Sequence, residues 1–359
     1  MSNPAVSCVI MHVMNASLVF AVRLKPGYRH LLAWAVLLTA ILPHPASARM
    51  GTWEEAYLDY AEAEAVYGTA ADEISPEEAG KLLLNLVNEA RLLEGLDGLE
   101  WSVPAARSAA DHAAEMALYG YASHYNQDGT KCELRFNLLG GTDHVSENVS
   151  GYRINRPVHL TPQLVNRMHG HWMDSPGHRA NILDPAHTHL GCAFVVKRSV
   201  AETFAAGAVE FVNDYGNCDR LPLRQFIDER IRISGTLDPA RATLLYIGIG
   251  TEAWPEPVSL KELRKLSGGY RQPKVTVALL PRQYHGVVDA PCDFDRYTLR
   301  YDPRTGEYGA ELHLDPIWPA AAYYVTVWAV GNGGEALEPD SLALQQKGFR
   351  VMTQVVLVE

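Results

Sequence analysis

The apolar pattern of this chain changes its period at Asn217-Cys218, and no other feature constrains the fold as much. Before that point apolar residues recur at helical spacing. Ser75-Pro76-Glu77-Glu78 is a helix start, with a capping serine, proline at the first helical position and acids in the first turn. Leu83, Leu86, Val87 and Ala90 then form one stripe, which runs to about Leu93, and Gly95 with Gly98 ends the element. A second helix is expected from about Pro104 to Leu118, and its small face of Ala109, Ala113, Met116 and Ala117 implies close approach to a neighbouring layer. A third carries Leu164, Val165, Met168 and Trp172 and breaks at Ser175-Pro176-Gly177, and residues 190–196 and 209–215 read as strands. After Cys218, residues 230–234, 243–248, 274–280, 297–301, 308–314, 323–330 and 351–358 are short β-rich runs parted by Pro, Gly and Asp. That spacing predicts a small antiparallel β-sandwich, with a hairpin turn at Tyr301-Asp-Pro-Arg-Thr-Gly306.

The N-terminus has the order of a secretory signal. Arg23, Lys25 and Arg29 precede an uncharged run, residues 31–42, followed by Pro43, Pro45 and the small triplet Ala46-Ser47-Ala48. Cleavage is expected after Ala48, giving a secreted or periplasmic protein. The run is roughly a dozen residues against the ~20 needed to span a bilayer, so no stable membrane anchor is expected after cleavage. Residues 1–22 read as a second hydrophobic segment or as the product of a start assigned upstream of Met11 or Met14. The expected organisation is a signal over 1–48, a helical extension over 49–75, an α+β domain over 76–219 and the β-rich domain over 220–359. A formal charge of −11 leaves no basic surface to neutralise phosphates, which excludes nucleic acid and anionic lipid headgroups as bulk electrostatic partners.

Export also suits disulfides. Removal of Cys8 with the signal leaves Cys132, Cys192, Cys218 and Cys292. Antiparallel pairing of the two strand-like runs would bring Cys192 and Cys218 to one end of a ladder, so a Cys192–Cys218 bridge is expected, against two buried free thiols. Cys292 is either free or bridged to Cys132.

The chemistry lies between residues 119 and 220. His124 follows the second helix, Glu147 and Asn148 sit in Ser146-Glu147-Asn148-Val149 at the end of a polar loop, and His178 follows the break in the third helix. Asn88 and Arg91, Ser123-His124, Glu147-Asn148, Trp172, Gly177-His178-Arg179, Asn181-Ile182-Leu183, Thr188 with Gly191, and Asp214-Tyr215-Gly216 occur in the order seen in the CAP superfamily. That superfamily takes in cysteine-rich secretory proteins, antigen-five allergens and pathogenesis-related proteins (the SCP domain), and the Ser-Pro-Gly-His-Arg form resembles the bacterial type. The resemblance covers about residues 80–219. It implies a three-layer α-β-α sandwich with a central antiparallel sheet and a cleft lined by two histidines and two acids. The histidines carry over to His124 and His178 and one acid to Glu147, while Ser175 stands where the second acid belongs and the neighbouring Asp174 points elsewhere.

Two imidazoles and a carboxylate suit a divalent cation such as zinc or magnesium, with His124, Glu147 and His178 as ligands and Asn148, Ser175 and Arg179 supporting the cleft. The plainer reading of the same residues is a hydrogen-bonded network that holds loops together. Arg179 is expected to pair with a carbonyl or carboxylate, and Asn148 to tie its loop to the backbone. His169, His171, His187 and His189 read as solvated or cleft-lining, and His144 as exposed. The leading expectation is a non-catalytic secreted protein whose cleft holds a cation and, as the resemblance suggests, an apolar ligand such as a lipid or a cell-surface component. The alternative is a metal-assisted hydrolase with Glu147, His124 and His178 as its catalytic groups. No nucleophile elbow or His-Glu-x-x-His helix supports the alternative. The β-rich half reads as an adhesive or spacer module, or as a shield for the first domain.

Overall fold

The computed structural model describes residues 60–226, 229–266, 268–281, 299–314, 320–331 and 348–359, all within one compact unit. The expected export signal, residues 53–59, Cys8 and Cys292 lie outside the described residues. Helix α1 spans Tyr60–Tyr67 and α2 spans Pro76–Leu93. The start of α2 is a capping box. Ser75 Oγ accepts from the Glu78 N–H, and the Glu78 carboxylate accepts the Ser75 N–H at 2.8 Å, which satisfies two donors the helix would otherwise leave free. Helix α3, Val103–Tyr119, ends on Gly120 in the left-handed region at φ 65°. Helices α4 (Cys132–Leu138), α5 (Pro162–Asp174) and α6 (Pro176–Ile182) follow, the last two divided at Ser175-Pro176 as the sequence predicts.

Strands β1 (Glu100–Trp101), β2 (His144–Ile154), β3 (His189–Arg198) and β4 (Thr203–Asn213) form one sheet in the order β1-β3-β4-β2. The pairing is antiparallel except between β1 and β3. Helix α3 covers one face and α2 with α5 the other, so the three-layer α-β-α sandwich is present. Alternation along β4 divides the layers, because successive strand residues face opposite ways. Ala206 and Ala208 pack with Ala109, Ala113 and Met116, while Val209 and Phe211 pack with Leu83, Leu164, Met168 and Trp172. The alanines of α3 let its backbone rest on the sheet. A Cβ on Gly191 would come 2.1 Å from the Ala106 nitrogen, so only glycine fits there.

The second half is the expected antiparallel sandwich. One sheet orders β10-β11-β7-β5 from β5 (Gly216–Cys218), β7 (Arg230–Leu237), β10 (Arg300–Tyr301) and β11 (Glu307–His313). The other orders β6-β13-β12-β8-β9 from β6 (Arg224–Gln225), β8 (Ala242–Glu252), β9 (Val275–Leu279), β12 (Ala321–Gly331) and β13 (Phe349–Val358), with β6 alone pairing parallel, to β13, among the described strands of the sandwich. Ile231, Ile233, Leu244, Ile247, Tyr323 and Val325 are among the side chains filling the space between them. The β10–β11 hairpin turns at Gly306, φ 74°, with Tyr301 opposite Tyr308.

The sandwich is fastened to the first domain. Asn137, in α4, donates to Thr353 O at 3.3 Å and accepts the Val355 N–H at 2.8 Å, both on β13. Between β8 and β9 a strap carrying the short helix α7 (Leu260–Leu263) crosses the other domain, with Arg264 donating to Gly120 O and Tyr119 O, and Ser123 Oγ donating to Leu266 O.

The expected Cys192–Cys218 bridge is not formed. Strand β3 does pair with β4, but Cys192 lies opposite Val209, whereas Cys218 belongs to β5 in another sheet, opposite Gly235. Cys132, Cys192 and Cys218 are free thiols, and burial raises the pKa of each. The two runs do pair antiparallel, but the strand pair ends before Cys218, and the chain there has already entered the sandwich.

Candidate functional site

Glu147 is the centre of the site, and it lies in strand β2, not in a loop. Its side chain is 1% exposed. The His124 ring, in the turn after α3, donates from Nδ1 to Glu147 Oε2 at 2.8 Å, and the Arg135 guanidinium of α4 holds Oε1 through Nη2. The other arm of Arg135, Nη1, reaches His124 O at 3.1 Å and Asn126 Oδ1 at 2.9 Å, so one guanidinium ties the His124 turn to the carboxylate. Burial alone would raise the Glu147 pKa, but Arg135 and the neighbouring histidines hold it at about 2.

Directly across the ladder stands Glu210, fully buried in the central strand β4. Burial pushes its carboxyl well above the usual range, with the charge of Glu147 acting in the same direction. Ser108 donates to its Oε1 at 2.6 Å. Behind the pair His112, on α3, is pushed down to about 4 by burial with help from Arg135, and shares a 2.7 Å contact with Ser123 O.

The remaining expected residues divide into two groups. His178 is pushed down to about 4 by burial, reinforced by His124 and His171. Its Nδ1 is buried without a partner among the described residues. Asn148 holds it in place by donating to His178 O at 3.0 Å, and accepts from Asn181 Nδ2 at 3.1 Å. Ser175 is buried as the junction of α5 and α6. Arg179 does not support the cleft. It is exposed and pairs with Glu94 at 2.7 Å, a carboxylate, which is one of the two kinds of partner expected for it. Asp174 is exposed, as expected from its rotation on the helix. His144 is buried, not exposed, and its Nδ1 lies 3.0 Å from Thr353 Oγ1 of β13. His187 is buried on Phe211 and runs a chain from Asn213 Oδ1, 2.6 Å from Nδ1, to Ser146 Oγ, 3.1 Å from Nε2.

Arg135 decides how well this set fits a divalent cation. With Glu147 occupied by a guanidinium and an imidazole, only ring nitrogens of His124 and His178 remain, fewer than the three protein ligands of a catalytic zinc site, and a fixed cation is alongside. Among the described residues no group of three or more His, Cys, Asp or Glu is arranged to hold a metal ion. The residues as arranged do not fit one.

Instead, His124 and Glu147 border a cavity of about 480 Å³ at the seam of the two domains. One wall is β2 with His144 and Ser146, plus Asn181. The other is supplied by Tyr270, Arg271 and Gln272 of the strap and by Arg350 of β13. The Tyr270 ring meets His124 edge to face at 5.7 Å, and its hydroxyl donates to Glu133 Oε2 at 2.6 Å. Sequence reading missed Arg135, Glu133 and every group from the sandwich. Helix α4 buries Glu133, Arg135 and Asn137 along with its apolar residues, so it has no polar face and no periodic stripe to reveal it.

Residues 84–208 match the CAP family, described as the cysteine-rich secretory protein family. An uncharacterized membrane protein of Bacillus subtilis, YlbC, is 33% identical over 111 residues, which is 31% of this chain and 30% of that protein. The chain thus spans under a third of that relative's length. An extracellular protein containing an SCP domain from Bacillus anthracis is 22% identical, with a TM-score of 0.30 over 39% of this chain and 41% of the other. An outer surface protein from Borrelia burgdorferi is 18% identical, with a TM-score of 0.33 over 39% of this chain and 96% of the other. With the ordered motifs, the three layers they require and this family match in agreement, residues 84–208 are a CAP domain of the cysteine-rich secretory protein family.

Proposed function

We propose that this is an exported binding protein whose CAP cleft, roofed by its own C-terminal sandwich, holds a small polar molecule, with no catalytic role for Glu147. The observation that carries this is the seam cavity itself, in which groups from both domains face His124 and Glu147. Its lining carries polar and charged side chains, among them Ser146, Asn181, Gln272 and Arg350, which suits a polar ligand better than the lipid that the resemblance suggests. Glu147 is a poor general base, since a carboxylate held at about 2, with both oxygens occupied, has little affinity for a proton near neutrality. Export rests on the charged, apolar and small-residue order of residues 23–48.

The test is a thermal-shift screen of polar small molecules on residues 49–359, repeated on Gly269→Trp. Gly269 lines the cavity and a Cβ there meets nothing within 4 Å, so a bulky side chain can be introduced at the site without a clash at Cβ. Ligands that stabilise the wild type and fail on the variant support the reading. Ligands that act equally on both contradict it.

One observation favours a second, hydrolytic reading, and it does not involve Glu147. Ser146 borders the cavity with His187 behind it and Asn213 orienting the ring, the order of nucleophile, base and positioning group. Ser146 Oγ also donates to Asn181 Oδ1 at 2.8 Å, which suits a structural strut. Labelling of Ser146 by a fluorophosphonate, lost in His187→Ala, would establish the hydrolytic reading. Absence of labelling leaves the chain as a strut.

A further inference from the structure

The donors and acceptors around the seam cavity are unequally used. On the acid side, each oxygen is occupied. Glu147 accepts from His124 and Arg135, and Glu133 accepts from Tyr270 Oη at 2.6 Å and Gln272 Nε2 at 2.5 Å. On the basic side, the guanidinium groups of Arg350 and Arg271 have no hydrogen bond or ion pair among the described residues.

Arg350 is the more telling of the two. It is half-buried on β13, its guanidinium stacked 4.9 Å over the Trp328 ring, and it is close enough to His144 to depress that imidazole. Asn213 Nδ2 donates to its carbonyl at 2.6 Å, which fixes its backbone. Desolvation lowers the Arg350 pKa, and the charge of nearby Glu133 opposes that. A cation withdrawn from water and stacked on an aromatic face, but without a hydrogen-bonded anion, is incompletely compensated. Its planar fork suits two oxygens of a carboxylate or phosphate. Arg271, exposed at the mouth, is placed to attract the same charge.

From this we infer that the seam cavity is an oxyanion site, in which Arg350 binds the carboxylate or phosphate group of a small molecule and Arg271 guides it in. The site is built from residues 271 and 350 of the C-terminal half, so it gives that half a role in selecting the ligand. The inference rests on the cavity being the binding site proposed above. It does not conflict with the acidic charge of the whole chain, because it concerns one anionic group at one cavity and not a charged surface.

The experiment is calorimetric titration of residues 49–359 at low salt with inorganic phosphate and, separately, succinate, on the wild type, Arg350→Gln, Arg350→Lys and Gly269→Trp. The expected result is saturable binding of at least one anion, weakened about tenfold or more in Arg350→Gln, partly kept in Arg350→Lys and lost in Gly269→Trp. The preferred anion identifies the ligand as a phosphate or a carboxylate. Thermal melting of each variant confirms folding, and the lysine variant separates loss of charge from loss of packing on Trp328. No binding of either anion, or equal binding to wild type and Arg350→Gln, overturns the inference. A neutral ligand that Gly269→Trp excludes, found alongside failed anion titrations, would overturn the oxyanion assignment and leave the cavity reading standing. Failure of every ligand class would remove both.

Discussion

Glu147 keeps its charge in a buried place because Arg135 is beside it, and each therefore depends on the other. Removing one partner of a buried pair strands a charge, at a cost of about 3–5 kcal/mol. Arg135→Met and Glu147→Gln should each lower unfolding stability by about that amount, while the double variant should recover much of the loss, because no stranded charge remains. Additive losses in chemical denaturation would contradict the pairing. The histidines add a pH dependence. With His178 held at about 4 against an ordinary 6.5, the unfolded chain takes up the proton first, so its contribution to stability is full above about 6.5 and is lost as pH falls toward 4. Glu147, depressed to about 2, contributes fully above 4.5 and loses its contribution as pH falls through 2, whereas Glu210, raised by burial, has the opposite sign above 4.5. The His178→Gln difference isolates one histidine. Its melting temperature should fall less than that of the wild type between pH 6.5 and 4, and parallel curves would show that His178 does not lie buried and neutral.

At the scale of elements, the close rest of α3 on the sheet and the grip of α4 on β13 do most to place the site. Gly191→Ala drives a methyl group into the α3 backbone, 2.1 Å from Ala106 N, and overpacking against backbone costs about 1–3 kcal/mol or more. Tertiary circular dichroism should report a displaced or unfolded α3, and an unchanged spectrum with unchanged stability would refute the contact. The elements legible in the sequence are those with a one-sided pattern. Helix α2 was readable from Ser75 to Leu93 because its cap, its first-turn acids and its stripe agree, and the strands of the sandwich were readable from their alternation and turns. Helix α4 was not, because six of its seven residues are buried and a wholly buried short helix has no period to detect. Strand β1, two residues paired with β3, is too short to carry any alternation. His124, Glu147 and His178 are legible through ordered motifs, whereas Arg135, which holds Glu147, lies in that unreadable helix.

Over the whole molecule, the seam changes what the CAP domain can be. A cleft that is open in isolation is here walled by Tyr270, Gln272 and Arg350, and the two halves are hydrogen-bonded through Asn137, Ser123, Arg264 and Asn213. Residues reaching the cavity from more than 120 positions further along the chain leave no local trace in the sequence. Because the seam is bonded and not merely touching, residues 49–359 should unfold in a single cooperative transition. Asn137→Ala, which leaves the Val355 N–H buried without a partner, should cost about 1–3 kcal/mol. Two separable calorimetric transitions in the wild type would mean that the halves are independent.

The central claim is that Glu147 belongs to Arg135 and the cavity, and not to a metal. Calorimetric titration of residues 49–359 with zinc at pH 7, alongside Glu147→Gln and His124→Ala, tests it most directly. The account predicts no saturable binding that depends on either residue. Stoichiometric zinc binding in the wild type that disappears in both variants would contradict it and restore the cation site.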